Sequence, residues 1–171
     1  MNHDFINSDM IFVADTENKS YNNDANCKFI LAGDNSLLHT KHGGDFSLYL
    51  GNDWRFEIMV DSATGLCVKP QIFLDQLPVT FKLLHFPEGM RCGVRFSKRE
   101  VLIAGDGCHY IPFDTTAYWD KNQEILCIGS PEPCGCAVEF INHAAMCLKG
   151  RKLCSLYLSL KGLHADRCFA G

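Results

Sequence analysis

In "WRFEIMVD", residues 54–61, Phe56, Ile58 and Val60 fall on one side of an extended chain, and Arg55 and Glu57 fall on the other. Successive side chains of a strand point to opposite faces, so a strict apolar–polar alternation is the mark of a half-buried strand. "MRCGVRF" (90–96) repeats it, with Met90, Cys92, Val94 and Phe96 inward and Arg91 and Arg95 outward. "LCSLYLSL" (153–160) does so again, placing Cys154, Leu156, Leu158 and Leu160 opposite Ser155, Tyr157 and Ser159. A chain patterned in this way cannot bury its apolar residues as helices.

The segments between these runs agree. "GND" (51–53), "DSATG" (61–65), "PEG" (87–89), "SKR" (97–99), "DG" (106–107), "DKNQ" (120–123) and "KGRK" (149–152) hold the residues that make tight reversals cheap. Turns at this density leave little room for long helices. The expectation is a single all-β domain over residues 1–171, an antiparallel sandwich or partly closed barrel of about nine to eleven strands with at most one short helix. Residues 1–26 are polar and expected to form a partly ordered N-terminal arm. The helix, if present, is expected within 141–149, because "EFINHAAMCLKG" allows Ile141, Ala145 and Leu148 to share one helical side ahead of Gly150.

Composition excludes several classes of function. With 171 residues, 47% apolar and 21% charged, the chain can build a sizeable core without metals or disulfides. A net charge of −4 gives no field for a polyanion, so nucleic acid is not the expected partner. No apolar run reaches the length of a membrane-spanning helix, and the first fifteen residues lack the basic and apolar regions of a secretory signal. A cytoplasmic location is therefore expected. The ten cysteines then read as thiols, with Cys67, Cys92, Cys127 and Cys154 packed as small apolar side chains.

"SPEPCGCAVEF" (130–140) holds the most suggestive chemistry. Zinc wants four tetrahedral ligands, usually from C-x2-4-C pairs, and C-x-C is one residue short. On a helix, His143 and Cys147 would lie one turn apart and complete a set with Cys134 and Cys136. On a strand they stand about 13 Å apart, and Gly135 reads as a bend. The bend is the expected reading and the four-residue zinc set its alternative. "HTKHGGD" (39–45) offers His39, His42 and Asp45 to a divalent ion from a loop. Cys108 and His109 are adjacent, so on a strand they face opposite ways and cannot activate each other. Phosphate loops, dinucleotide glycine patterns, nucleophile elbows and HExxH are absent from the sequence, and no cofactor is expected.

What remains is a binding surface. Arg91, Arg95, Lys98 and Arg99, with Tyr110 and Trp119, form the candidate partner-binding set, because arginine and aromatic side chains combine large contact area with directed hydrogen bonds. The hairpin style of "YWDKNQEILCIG" and "CLKGRKLCSLYL" resembles that of many small bacterial β-rich proteins, some of which act as immunity or accessory proteins beside toxins. The expected function is thus a non-catalytic, cytoplasmic protein-interaction module that binds through a strand edge or a basic–aromatic face. A β-barrel enclosing a small apolar ligand is one alternative, and a zinc protein or enzyme built on the cysteine–histidine cluster is the other. Thiol titration in denaturant without reductant checks the compartment argument. Nearly all ten cysteines should react; two or fewer reactive thiols would identify a disulfide protein and overturn it.

Overall fold

The computed structural model describes residues 11–17, 25–132 and 135–170. Three sheets account for the described strands. A six-stranded sheet runs in the order β10 (Cys108–Ile111), β4 (Phe46–Leu50), β5 (Phe56–Val60), β6 (Cys67–Phe73), β3 (Ser36–His39), β2 (Phe29–Leu31). A seven-stranded sheet runs β7 (Thr80–Phe81), β11 (Ala117–Asp120), β12 (Ile125–Gly129), β15 (Lys152–Ser159), β14 (Ala144–Lys149), β13 (Cys136–Ile141), β8 (Met90–Arg91). A small pair, β1 (Phe12–Asp15) with β9 (Gly93–Phe96), sets β9 against β6 and β13.

The two large sheets share one apolar core and neither closes into a barrel. In β4 and β5 burial alternates as the sequence pattern requires: Phe46, Leu48 and Leu50 face the core, as do Phe56, Ile58 and Val60. From the opposite sheet come Trp119, Leu126, Ile128, Phe140, Met146, Leu156 and Leu158.

The seven-stranded sheet is apolar on its other face as well. Ile125, Cys127, Ala145, Cys147 and Tyr157 form a second buried cluster there, together with Leu84. Leu84 belongs to the segment 82–89, which joins β7 on one edge of the sheet to β8 on the other. Seven strands in register are six spacings wide, about 29 Å at about 4.8 Å each. The nine residue steps from Phe81 to Met90 reach about 30–32 Å at full extension. This strap therefore crosses the sheet from edge to edge in an extended conformation. Leu84 anchors it, its N–H donating to Asp120 Oδ2 at 2.8 Å. Burial works against the Asp120 charge, but N–H groups of Leu84, Gln123 and Asn122 outweigh it and hold the carboxyl below its usual range. At the far end the strap lies so close to β13 that a Cβ on Gly89 would fall 2.0 Å from the Ala137 carbonyl oxygen. Only glycine fits there.

Several sequence expectations need correction. Fifteen strands form among the described residues, more than nine to eleven, because many are only two to four residues long. The one α-helix described is α1 (Arg99–Ile103), and the 141–149 segment is a hairpin between β13 and β14, turning at Asn142 and His143. Within the expected N-terminal arm, Phe12–Asp15 forms β1, and Phe12 packs edge-on to Phe96 at 5.8 Å. Cys154 is not in the regular alternation: it is the extra residue of a bulge, since Leu148 opposes Leu153 and Cys147 opposes Ser155. Cys67 and Cys127 are buried at strand positions, and Cys92 is buried at the break between β8 and β9.

If the strap is a structural member, Leu84→Ala should lower unfolding free energy by about 2–5 kcal/mol, the range for emptying a buried leucine site. Urea unfolding measures this as a lower midpoint at unchanged slope. A change within 0.5 kcal/mol, the size typical of surface sites, would show that the strap merely rests on the sheet.

Candidate functional site

The outer face of the six-stranded sheet is left to solvent. Ser47, Tyr49, Glu57, Met59, Lys69, Gln71 and Phe73, the outward residues of β4, β5 and β6, all keep part of their surface exposed. Register lines them up across the strands. Tyr110 pairs with Tyr49, Tyr49 with Glu57, and Glu57 with Gln71, giving one continuous row. A second row runs Cys108, Ser47, Met59, Lys69.

Aromatic groups concentrate on this face. The Tyr49 and Tyr110 rings stack with centroids 4.9 Å apart and planes at 25°. Trp54, from the turn before β5, lies 5.1 Å from Phe73 at a 49° tilt. That turn is fixed by Asp53, whose Oδ1 accepts the Arg55 N–H at 3.0 Å, and by Gly51, which has a positive φ of 66°. Trp54 is 60% exposed and Tyr110 49% exposed. Ser47 donates its hydroxyl to Glu57 Oε1 at 2.5 Å, and burial together with the Glu57 charge raises the Tyr49 phenol, which stays protonated. A planar row of rings around one carboxylate and one amide can stack, accept and donate.

The strap side differs. Beneath and beside the strap lies a half-open cavity of about 790 Å³, lined by Leu84, Phe86, Ile125, Cys147, Tyr157 and Lys161 among others. Tyr157 donates its hydroxyl to the Pro131 carbonyl at 2.8 Å, and Lys82 Nζ lies 3.6 Å from Glu132 Oε1. Burial pushes the Cys127 thiol up to about 12 and raises that of Cys147 as well, so both are poor nucleophiles.

The sequence-predicted partner set does not assemble. Arg91, on β8, makes a two-point contact with Glu139 through Nε at 3.1 Å and a terminal nitrogen at 3.4 Å. Arg95, on β9, donates to Asp15 Oδ2 at 2.8 Å. Lys98 is half-buried before α1 and Arg99 is exposed at its start. Tyr110 is on the edge strand of the six-stranded sheet. Trp119 leaves the set altogether: it is 1% exposed in the core, edge-on to Phe169 at 5.0 Å, because its phase in β11 points inward. Tyr49, Trp54 and Phe73 were missed, although Tyr49 carried a signal, an aromatic ring on the outward phase of "FSLYL".

The zinc set is likewise dispersed by the hairpin. Cys134 lies outside the described residues. Cys136 opposes Leu148, Cys147 opposes Ala137, and His143 occupies the turn, about 13 Å along the strand from Cys147. The helix that would bring His143 and Cys147 together is not formed. His39 points into the core against Phe29, while Asp45 is engaged by Ser62, so the "HTKHGGD" residues do not converge. Among the described residues no group of three or more His, Cys, Asp or Glu is placed to hold a metal ion. No described helix is long and apolar enough to cross a membrane. Compared with protein-family models and with curated proteins, the chain finds no match in either.

His39 has a role in the fold. Its Nδ1 accepts the Lys41 N–H at 3.1 Å and its Nε2 donates to the Asn142 carbonyl at 3.1 Å, tying the two large sheets together. Burial lowers its pKa to about 4; the Asn142 carbonyl opposes that shift, and the charges of His143, Lys69 and Lys41 add to it. The unfolded chain thus takes up this proton near 6.5 and the folded chain only near 4. Stability is full above the higher value and declines as pH falls through that window, by about 1–2 kcal/mol near pH 5. Urea unfolding of wild type and His39→Gln at neutral pH and near pH 5 checks this. The slope should disappear in the variant; equal slopes would assign it to other groups.

Proposed function

We propose that the protein is a non-catalytic binding module that recognises another protein through the open face of its six-stranded sheet. The observation that supports this reading is the pairing of exposed Trp54 and Tyr110 with Phe73 and Tyr49 on a face that antiparallel sheets ordinarily leave polar. Tryptophan and tyrosine dominate interface energetics because they remove much apolar area from water while keeping a polar tip satisfied. Gln71, Glu57 and Arg55 between the rings supply directional bonds. The role fits an accessory or immunity-like protein of a reducing cytoplasm, where burial of Cys27, Cys67, Cys92, Cys127, Cys147 and Cys168 protects those thiols.

A second reading has one observation in its favour. The cavity beside the strap has the volume of a small-molecule site. The ligand would sit there and not between the sheets, since the shared core fills the sandwich and no barrel encloses a space.

Affinity capture from the source organism's lysate tests the first reading. Trp54→Ala with Tyr110→Ala should weaken recovery of the bound protein by about tenfold to hundredfold, the effect of losing interface anchors, with melting unchanged. Identical recovery by wild type and variant would remove the face from consideration. A retained small molecule would favour the cavity.

A further inference from the structure

Among the described residues, edge strand β7 pairs with no strand on its outer side. In its parallel pairing with β11, Tyr118 opposes Thr80, Trp119 opposes Phe81, and the Lys82 N–H donates to the Trp119 carbonyl at 3.1 Å. Trp119 thus bonds Thr80 and Lys82, and the peptide groups of Phe81 face away from the sheet. The Leu84 N–H bonds the Asp120 side chain, so the Leu83 carbonyl, trans to it across the peptide, points away from Asp120. Both side chains are exposed, Phe81 by 65% and Leu83 by 69%, and they share one phase of the strand. Natural edges are blunted by short strands, charge, proline or a bulge; here β7 is short and Lys82 follows it, but Phe81 and Leu83 leave an apolar pair exposed beside them.

We infer that β7 is the docking edge for a second copy of this chain, two β7 strands pairing antiparallel about a twofold axis at Lys82. The geometry is self-complementary. Phe81 of each copy, whose N–H and C=O face away from β11, would oppose Leu83 of the other once residues 82 and 83 extend the edge, and each such pair would close two backbone hydrogen bonds. Apolar meets apolar at both positions, burying the two most exposed side chains of the edge. The opposed Lys82 side chains lie on the strap face, where each has Glu132 beside it at 3.6 Å, so like charges are not left facing each other alone. The contact is short, and the dimer is weak, forming between micromolar and near-millimolar concentration. It uses a surface separate from the open face and stands whether or not that face binds a partner.

Sedimentation velocity over that concentration range is the test. Wild type should pass from monomer to dimer, and Trp54→Ala with Tyr110→Ala should do the same. Phe81→Lys with Leu83→Lys should stay monomeric while melting at the wild-type temperature, since both side chains are exposed. A wild-type protein monomeric throughout would overturn the inference. A dimer that persists undiminished in the lysine variant would overturn the assignment to β7.

Discussion

The seven-stranded sheet is apolar on both faces, and that constraint organises the rest of the molecule. One face meets the six-stranded sheet; the other needs its own cover. An extended chain of eight residues supplies it, drawn from edge to edge and anchored near its β7 end by Leu84 and Asp120. The strap's two ends run directly into β7 and β8, the outermost strands of the sheet. The sheet cannot widen or lose an edge strand without releasing the Leu84 cluster. Burial of that cluster, at about 25 cal/mol for each Å² removed from water, must outweigh the entropy of ordering the strap.

Small side chains make this cover feasible. Ala137, Ala145, Cys127, Cys147 and Ser155 occupy the outer phase of β12 to β15, so the strap backbone can approach closely, to the limit seen at Gly89. Cysteine serves here as a compact apolar group, and its raised pKa follows from the same burial. The six-stranded sheet has the opposite arrangement. Its outward phase carries large rings interleaved with Glu57, Gln71 and Lys69, and these keep contact with solvent. One sheet is covered by the chain itself, while the outward residues of the other keep contact with solvent.

β5 was legible in the sequence because it has one wet side, whereas "MRCGVRF" divides between β8 and β9 with Met90 exposed, and β15 buries Ser155 and Tyr157 as well as Leu156. β4 and β5 alternate in burial just as "FSLYL" and "FEIMV" alternate in polarity. β14 was ambiguous for the converse reason. Ala144–Leu148 is buried on both faces, which erases the alternation and leaves an apolar run that fits a helix equally well. The zinc set inherited that ambiguity, since only a helix would have joined His143 to Cys147. The strap was invisible because "KLLHFPEG" has no period of its own; its conformation is imposed by the distance between β7 and β8. Trp119 and Arg91 illustrate the limit for the site. Local pattern marks a residue as aromatic or basic, but register decides that Trp119 enters the core and that Arg91 meets Glu139.

The strap's place in the cooperative fold is the claim on which this account rests, and native-state hydrogen exchange at single-residue resolution reads it most directly. The Leu84 amide lies outside the strand ladder and donates to a side chain, that of Asp120. If the strap opens only when the sheet does, that amide should exchange with the same opening free energy as the amides of β12 and β15, and with the same denaturant dependence. Exchange of Leu84 at the rate of an exposed loop, with β12 and β15 still protected, would contradict the account.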